Sequence, residues 1–311
     1  MFGISFISTG TTATQTPVTA SVAYEIVKNW IKDEQKKLPD FPIACVFDFS
    51  NMYSTLQFFA SDKILMRMGE LTSLSEEMKA SSESDWSKCS FPSKFVHKDT
   101  NDPLFFMIPI FARGMTSSLS RSETADLTKI IWDISQIIKA EGCQYLFFDL
   151  PIIERTQIEY NYSIIPALLN SNFFLGVVDC NKPNYKDLAL EISTLQAFLP
   201  KFDVVAKPSL KLNGLILNQV SETVRTGQWI ERVTEEFSIP IFGKVSEDPL
   251  FRKVISQYQI PTIDSLFSQM KCAKDFQSTA ETIIQELNES ETLREVTRSQ
   301  HQFLEDNIFK I

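Results

Sequence analysis

The chain has 311 residues, of which 43% are hydrophobic and 22% charged, and its formal net charge is −9. This composition is ordinary for a globular protein, and the acidic balance argues against broad electrostatic binding to nucleic acid. No apolar run reaches the roughly 18–20 residues that a membrane helix needs, and we see no secretory signal pattern, so we expect a cytoplasmic protein.

Predicted strands and helices alternate along the chain. Short apolar runs predict strands at 4–7, 42–50, 103–110, 144–151, 172–180, 212–220 and 239–245. Helical spacing of apolar residues predicts helices at about 17–36, 120–142, 186–202, 226–237 and 268–288. Between the second and third strands, residues 61–102 form a polar, Ser-rich excursion that we do not assign to the core.

This alternation predicts an α/β fold with a doubly wound, mostly parallel sheet and helices on both faces. Ligands of such sheets bind at the carboxyl ends of the strands. Polar segments follow four of the predicted strands, at 8–16, 48–51, 149–151 and 218–219. The fold therefore gathers these segments at one edge of the sheet.

Cysteine and histidine give little sign of a metal centre. The five cysteines are scattered without a CxxC pair, and the two histidines are His97 and His301. Isolated cysteines of this kind are typical of buried small side chains in a reducing compartment. A histidine-based metal site is therefore not expected.

Five ordered segments resemble the ParA/MinD family of P-loop ATPases, which carry a deviant Walker A motif of the form KGGxxGK[ST]. The segments read ISFISTGTTATQTPVTASVA, ACVFDFSNMYSTL, CQYLFFDLP, LKLNGLILNQV and IPIFGKVSEDPLFRKVISQYQIPTID. In the same order, these segments resemble the family's phosphate-loop strand and helix, its DxD segment, its Walker B strand, its adenine-facing strand and its last strand. The resemblance covers residues 1–287 as one domain and leaves 288–311 as a C-terminal helical tail.

In the loop, the resemblance implies a degenerate phosphate-binding site. The family's leading lysine falls on Gly10 and its main loop lysine on Gln15, while Thr16 keeps the hydroxyl that would ligate Mg²⁺. A glutamine amide can donate a hydrogen bond but brings no charge. Charge-assisted hydrogen bonds are worth about 1.5–3 kcal/mol against roughly 1 kcal/mol for neutral ones, so we expect weaker binding of a triphosphate.

At the other strand ends, some of the side chains that the family uses at its nucleotide site are present and one is missing. Asp149 matches the Walker B carboxylate, Asp48 matches the first DxD carboxylate, and Asn218 matches the adenine contact. The second DxD carboxylate, which resembles the group that orients the attacking water, falls on Ser50. The resemblance thus implies a vestigial or weak site for ATP or ADP, with Mg²⁺ at Thr16 and Asp149, and no catalytic residue.

Two functions remain open. The first is a non-hydrolysing interaction or positioning module that binds a protein partner, as a homodimer or as a heterodimer with an active relative. The second is an ATPase with weak, unorthodox nucleotide binding, whose missing cation comes from a lysine near a predicted strand end, namely Lys182, Lys207 or Lys244. An iron–sulfur scaffold, a dethiobiotin-synthetase-like enzyme and a DNA-partitioning protein fit less well, because CxxC, the phosphate loop and a basic surface are missing.

The C-terminal segment 291–311 can form a helix with a broad apolar face. MinD-type proteins carry a membrane helix at this position, but the polar face here mixes Arg294, Arg298 and Lys310 with Glu295 and Asp306. Peripheral membrane binding needs apolar area together with attraction to anionic lipid. Packing against the domain or a partner is therefore favoured over membrane contact.

Overall fold

The computed structural model describes residues 1–9, 15–34, 43–49, 75–77, 79–80, 93–96, 103–109, 121–153, 164–181, 184–202, 210–222, 224, 228–256 and 270–290. The strands are β1 (Phe2–Ile7), β2 (Ala44–Asp48), β3 (Ser93–Val96), β4 (Pro103–Pro109), β5 (Tyr145–Asp149), β6 (Phe173–Asp179), β7 (Gly214–Val220) and β8 (Ile241–Ser246). The helices are α1 (Gln15–Glu34), α2 (Arg121–Ala140), α3 (Ile165–Asn170), α4 (Tyr185–Phe198), α5 (Trp229–Phe237), α6 (Pro249–Ser256) and α7 (Lys271–Glu289).

The described strands form one eight-stranded sheet in the order β3-β4-β2-β5-β1-β6-β7-β8. Every pairing is parallel except that of β3 with β4. Every residue of β2, β5 and β6 is buried, as a sheet covered on both faces requires. The predicted fold class is confirmed.

Helices cover both faces of this sheet. One apolar cluster packs α2, α3, α4 and α5 against one face, with Ile131, Ile165 and Ile192 among its members. A second cluster packs α1, α6 and α7 against the opposite face and includes Val22 and Phe276. Because side chains alternate along a strand, β1, β2, β5, β6 and β7 each contribute to both clusters.

Two local features differ from the sequence-based prediction. α1 begins at Gln15, two residues before the predicted start. β3 lies within the 61–102 segment, where we expected no strand, and pairs with β4 at the edge of the sheet. Most of that segment, and the tail from 291 onward, lie outside the described residues, so the domain boundaries stay predictions. None of the helices described is long and apolar enough to cross a membrane.

Candidate functional site

A row of polar side chains marks the carboxyl edge of the sheet on the face that α1 covers. Val46, Phe147, Val177 and Ile216 all pack in the α1 cluster. Since side chains alternate, the residue two positions later on each strand faces the same side. We call the resulting set the strand-end row; in spatial order it comprises Asp48, Asp149, Ser8, Asp179 and Asn218.

The strand-end row is buried throughout. The exposed fraction is 4% for Asp48, 0% for Asp149, 5% for both Ser8 and Asp179, and 0% for Asn218. Asp48 and Asp149 are direct register partners on β2 and β5, and Asp179 and Asn218 are partners on β6 and β7. Three acidic side chains thus lie among polar groups within a largely dry edge, where each carboxylate needs hydrogen-bond donors.

α1 supplies donors to Asp149. The Thr16 hydroxyl donates to Asp149 Oδ2 at 2.7 Å. The Thr19 hydroxyl lies 3.1 Å from both Asp149 Oδ1 and the Gln15 carbonyl oxygen, so these two acceptors share its one proton. Gln15 Nε2 donates to the same Oδ1 at 2.9 Å. Gln15 and Thr19 are one helical turn apart and therefore share a face of α1. Each of these three donors is uncharged.

The Gln15 carboxamide points inward, onto the ends of β1 and β5. Besides Asp149, its Nε2 contacts the carbonyl oxygens of Phe6 at 3.1 Å and Leu150 at 2.5 Å. All three neighbours are acceptors, so only the NH₂ end of the amide can face them. Its two hydrogens serve three acceptors, and Gln15 Oε1 is buried without a partner in the part of the chain that the structure describes. The Gln15 side chain is therefore engaged inside the fold.

Other buried polar atoms of this edge have no hydrogen-bond partner among the residues that the structure describes. They are Ser8 Oγ, Thr9 Oγ1 and both carboxamide atoms of Asn218. Buried polar side-chain atoms in native proteins are nearly always satisfied, which makes this concentration unusual. The edge thus has hydrogen-bonding capacity that the described residues leave unused.

A small acidic cavity of about 140 Å³ lies beyond β7 and β8, lined by Gln219, Glu247, Asp248, Pro249 and Phe251. Gln219 has a left-handed backbone with φ of 55°, and Asp248 Oδ1 accepts from the Leu250 backbone N–H at 2.9 Å at the start of α6. These features fix the shape of the cavity. Its carboxylates make it a poor site for an anion.

Nearby, on α7, burial raises the pKa of the Cys272 thiol to about 12, and the neighbouring carboxylates of Asp248 and Asp275 add to the effect. The thiolate, which is the nucleophile and metal ligand, is therefore disfavoured there.

Among the described side chains that meet at Asp149, two can ligate Mg²⁺ and none carries a positive charge. Thr16 and Asp149 provide oxygens of the kind that Mg²⁺ takes, and the hydrogen bond between them leaves lone pairs on both. Gln15 offers its donors to protein acceptors. Among the residues that the structure describes, no group of three or more His, Cys, Asp or Glu side chains could hold a metal ion.

The structure brings Gln15, Thr16 and Asp149 together and places Asp48 and Asn218 on the same edge. Gly10, Ser50, Lys182 and Lys207 lie outside the described residues. Lys244 is exposed on β8, four strands from β5, a separation of about 19 Å at the usual strand spacing. That separation is too great for Lys244 to reach Asp149.

Sequence reasoning missed Thr19 and Asp179. Thr19 lies four residues after Gln15 in a helix whose start was predicted too late, so its position on the Gln15 face was not recognised. Asp179 ends the predicted strand at 172–180 and could have been found by the rule that identified Asp149, a polar residue at the carboxyl end of a buried strand.

Several solved structures share this fold. MinD in the MinC:MinD cell division complex of Aquifex aeolicus superposes with a TM-score of 0.61 at 13% identity, covering 92% of this chain and 96% of that one. A ParA family ATPase from Chlorobium tepidum gives 0.55 at 12% identity, over 89% of this chain and 98% of that one. McdA of Cyanothece in an ATP complex superposes with a TM-score of 0.54 at 12% identity, covering 91% of this chain and 96% of that one.

Sequence comparison finds no equivalent likeness. No family model matches the chain, and no curated protein matches it. Identities this low show a shared fold and leave function to be argued from the site.

Proposed function

We propose that this chain is a ParA/MinD-like protein that acts as a non-hydrolysing interaction or positioning module. The fold is that of MinD, ParA and McdA. The observation that carries the proposal is the inward Gln15 carboxamide, which donates to Phe6 O, Asp149 Oδ1 and Leu150 O. A side chain held in this way stabilises the fold and is not presented to a phosphate.

The chemistry of phosphoryl transfer supports this proposal. Catalysis of that reaction depends mainly on positive charge placed against the phosphates and on alignment of the attacking nucleophile. The chain has a neutral amide at position 15, where the family has its main lysine; six residues earlier, where KGGxxGK[ST] has its leading lysine, it has Thr9 and not the Gly10 that we predicted. By analogy with arginine fingers, one such charge can be worth about 10³–10⁵ in rate. Turnover should therefore be very slow or absent.

A module without turnover would act through what it binds. One structural neighbour is MinD in complex with MinC, so this fold does support a protein–protein complex in that case. We infer that this chain likewise binds a protein partner, as a homodimer or as a heterodimer with an active relative. Its expected place of action is the cytoplasm, with the 291–311 segment packed on protein rather than lipid.

The test is calorimetric titration with ATP and with ADP in Mg²⁺, combined with a phosphate-release assay on the same protein. We expect no phosphate release above that of an Asp149→Asn variant. The Asp149 carboxylate matches the family's Walker B magnesium ligand, so its variant is the proper reference. ATP turnover that falls on Asp149→Asn would contradict the proposal.

A second experiment asks whether the lost lysine can be restored. In Gln15→Lys, the ammonium would bring three donors and a positive charge to three acceptors, one of them a carboxylate. We expect this variant to keep its stability and to remain inactive, because the new charge is held by Asp149. In Gln15→Glu, an acceptor faces acceptors, so the free energy of unfolding should fall by several kcal/mol. Measurable ATP hydrolysis by Gln15→Lys would show that the site needed only a charge.

Weak nucleotide binding is the alternative, and two observations favour it. Thr16 and Asp149 are in contact at 2.7 Å, and the Asn218 carboxamide has no hydrogen-bond partner among the described residues. The McdA neighbour, which shares the fold, is known in an ATP complex. A dimer that forms on a sizing column only with ATP and Mg²⁺ would support this alternative against the non-binding module.

A further inference from the structure

We propose that residues 291–311 dock on their own domain, across the outward surface of α1 and α7. We call this surface the α1–α7 surface; its apolar side chains are Tyr24, Ile31 and Ile284. The inference rests on the proposed function, because it takes the packing of 291–311 on protein from there and names the protein surface that receives the segment.

The outward face of α1 is apolar where solvent would favour polar residues. Tyr24 lies nine residues after Gln15, so at about 3.6 residues per turn it is on the side of α1 opposite the inward carboxamide. Ile31 follows Tyr24 by seven residues and shares its face. Both side chains are only partly buried and pack against the α1 cluster. The face is therefore suited to an apolar segment.

The lysine between these two side chains does not make the face cationic. Lys28 Nζ lies 2.9 Å from Glu25 Oε1, and Glu25 is fully buried. The same Nζ is 5.7 Å from the centroid of the Tyr24 ring. Since the charge of Lys28 is balanced by Glu25, the α1–α7 surface has little attraction for an anionic partner.

α7 lies beside α1 and runs in the same direction. The Ser246 backbone N–H, at the end of β8, donates to Asp275 Oδ2 at 2.8 Å in the second turn of α7. Four residues later, the Thr279 side chain lies against Gly243, nearer the start of β8. α7 therefore runs from the carboxyl edge of the sheet to the amino edge, as α1 does, and the two helices end at the same edge.

This arrangement brings the start of 291–311 close to the α1–α7 surface. α7 ends at Glu289, and the Ser290 backbone N–H donates to the Glu286 carbonyl oxygen. Ile284, one turn before the end of α7, is partly buried and packs against the α1 cluster. The segment thus begins at the amino edge of the sheet, beside the C-terminal half of α1.

Length and tethering favour the segment's own domain over a second copy. In helical form, residues 291–311 would span about 30 Å, which is also the length of the 20-residue α1. The segment can therefore turn back and cover the surface along its whole length. A short tether gives an effective concentration in the millimolar range, far above that of a second copy in dilute solution.

The sequence of 291–311 fits this surface better than it fits a lipid. Its apolar residues recur with helical spacing, at Leu293, Val296, Phe303, Leu304, Ile308 and Ile311. Its charged residues are of both signs, and the whole chain carries a net charge of −9. Anionic lipid attracts a basic helix, whereas a neutral apolar surface asks only for apolar area.

Crosslinking of the full chain tests where the segment lies. Lys310 is the one lysine in the sequence of 291–311, and Lys274 is exposed in the first turn of α7, at the carboxyl edge of the sheet. With a short lysine-reactive crosslinker and mass spectrometry, we expect a Lys310–Lys274 crosslink in the monomer fraction. Lys186 is the control, because it is exposed on α4, on the opposite face of the sheet, and should not be linked to Lys310.

A matched pair of variants tests the contact in the full chain. Leu304→Asp places a charge on the apolar face of the segment, whereas Gln302→Asp places the same charge nine residues after Leu293, on the opposite face. We expect amide hydrogen exchange in 24–31 and 281–288 to become at least about tenfold faster in Leu304→Asp, because apolar cover is lost. Gln302→Asp should exchange as the wild type does.

The outcomes separate this inference from the proposed function. Unchanged exchange of 24–31 in Leu304→Asp overturns the inference. Lys310 crosslinks found only between copies overturn it in favour of a second copy. Co-sedimentation of the full chain with phosphatidylglycerol vesicles, if Leu304→Asp abolishes it, overturns the inference in favour of lipid. ATP hydrolysis that falls on Asp149→Asn refutes the non-hydrolysing module, and a Lys310–Lys274 crosslink would still support the docked segment.

Discussion

Asp149 is the residue on which the carboxyl edge is organised. It is fully buried, and its two oxygens accept from the side chains of Gln15, Thr16 and Thr19. A buried carboxylate is tolerated only when hydrogen-bond donors surround it. The loss of one donor should therefore lower the free energy of unfolding.

Thr19→Val tests this role with little change of shape. We expect a loss of about 1–3 kcal/mol in the free energy of unfolding, because a donor to a buried carboxylate is removed. The control is Thr128→Val, since Thr128 is also buried and its hydroxyl donates to the Thr124 carbonyl one turn earlier in α2. Urea unfolding of both variants gives the comparison. Equal losses in the two would contradict a special role for Thr19.

At the residue scale, the sequence predicted that Thr16 and Asp149 lie close together, but neither the part of Thr19 nor the direction of the Gln15 side chain. The contact of Thr16 with Asp149 follows from the fold and the resemblance. The inward direction of Gln15 does not, because it depends on α1 beginning at Gln15 rather than at Pro17. A loop residue could have pointed either way, whereas the first residue of a helix has its side-chain direction constrained by the helix.

Among the elements, α4 and α5 are joined by an aromatic and charged contact. The Tyr185 ring meets Trp229 edge to face with centroids 5.9 Å apart, and the Arg232 guanidinium lies 4.1 Å from the Tyr185 ring centroid. The Tyr185 hydroxyl and Glu236 Oε2 are 3.0 Å apart. Burial, followed by the hydrogen bond and the charge of Glu236, raises the pKa of Tyr185 from 10.0 to about 12, although Arg232 opposes the shift.

This shift predicts a loss of stability in alkaline solution. A folded-state pKa above the unfolded value means that the native state holds the proton more tightly. The contribution of protonated Tyr185 to the free energy of unfolding is therefore complete below pH 10 and is lost as the pH rises from about 10 to 12. Tyr185→Phe should show a flatter decline of the unfolding free energy over that interval. Chemical unfolding at several pH values measures this slope, and identical slopes for variant and wild type would contradict the assignment.

β1 and α3 approach each other closely at Gly3. A Cβ atom placed there would collide with the carbonyl oxygen of Asn170, which is a backbone atom and has no rotamer that removes it. Gly3→Ala should therefore cost about 3 kcal/mol or more. At Gly176 the nearest atom to an added Cβ would be the mobile Leu215 Cδ2, at 2.8 Å, so Gly176→Ala should cost clearly less. Thermal unfolding of the two variants tests this order.

At the element scale, the sequence was informative wherever packing within the core decided the structure. Continuous apolar runs identified the parallel strands, because strands buried on both faces need apolar residues at every position. β3 was missed because it is four residues long and its sequence SKFV has no clear period. Its place in the sheet comes from pairing with β4, which a local pattern cannot reveal.

For the molecule as a whole, the thiols report on the integrity of the core. Cys45, Cys143, Cys180 and Cys272 are buried thiols. Burial raises the pKa of Cys45 and Cys143, and the pKa of Cys143 reaches about 12. We expect at most one of the five thiols to react promptly with a disulfide reagent at pH 8, and all five to react in denaturant. Prompt reaction of two or more in the native protein would show that the core opens readily.

The position of β1 in the sheet has a consequence for synthesis of the protein. β1 is the earliest strand in the chain but pairs with β5 and β6, which end at Asp149 and Asp179. At the usual rates of translation, of about 5–20 residues per second, β1 is synthesised roughly 7–28 seconds before its first partner strand, β5, is complete at Asp149. During that time its apolar face has no partner strand, so the nascent chain should be a client of chaperones that shield such segments.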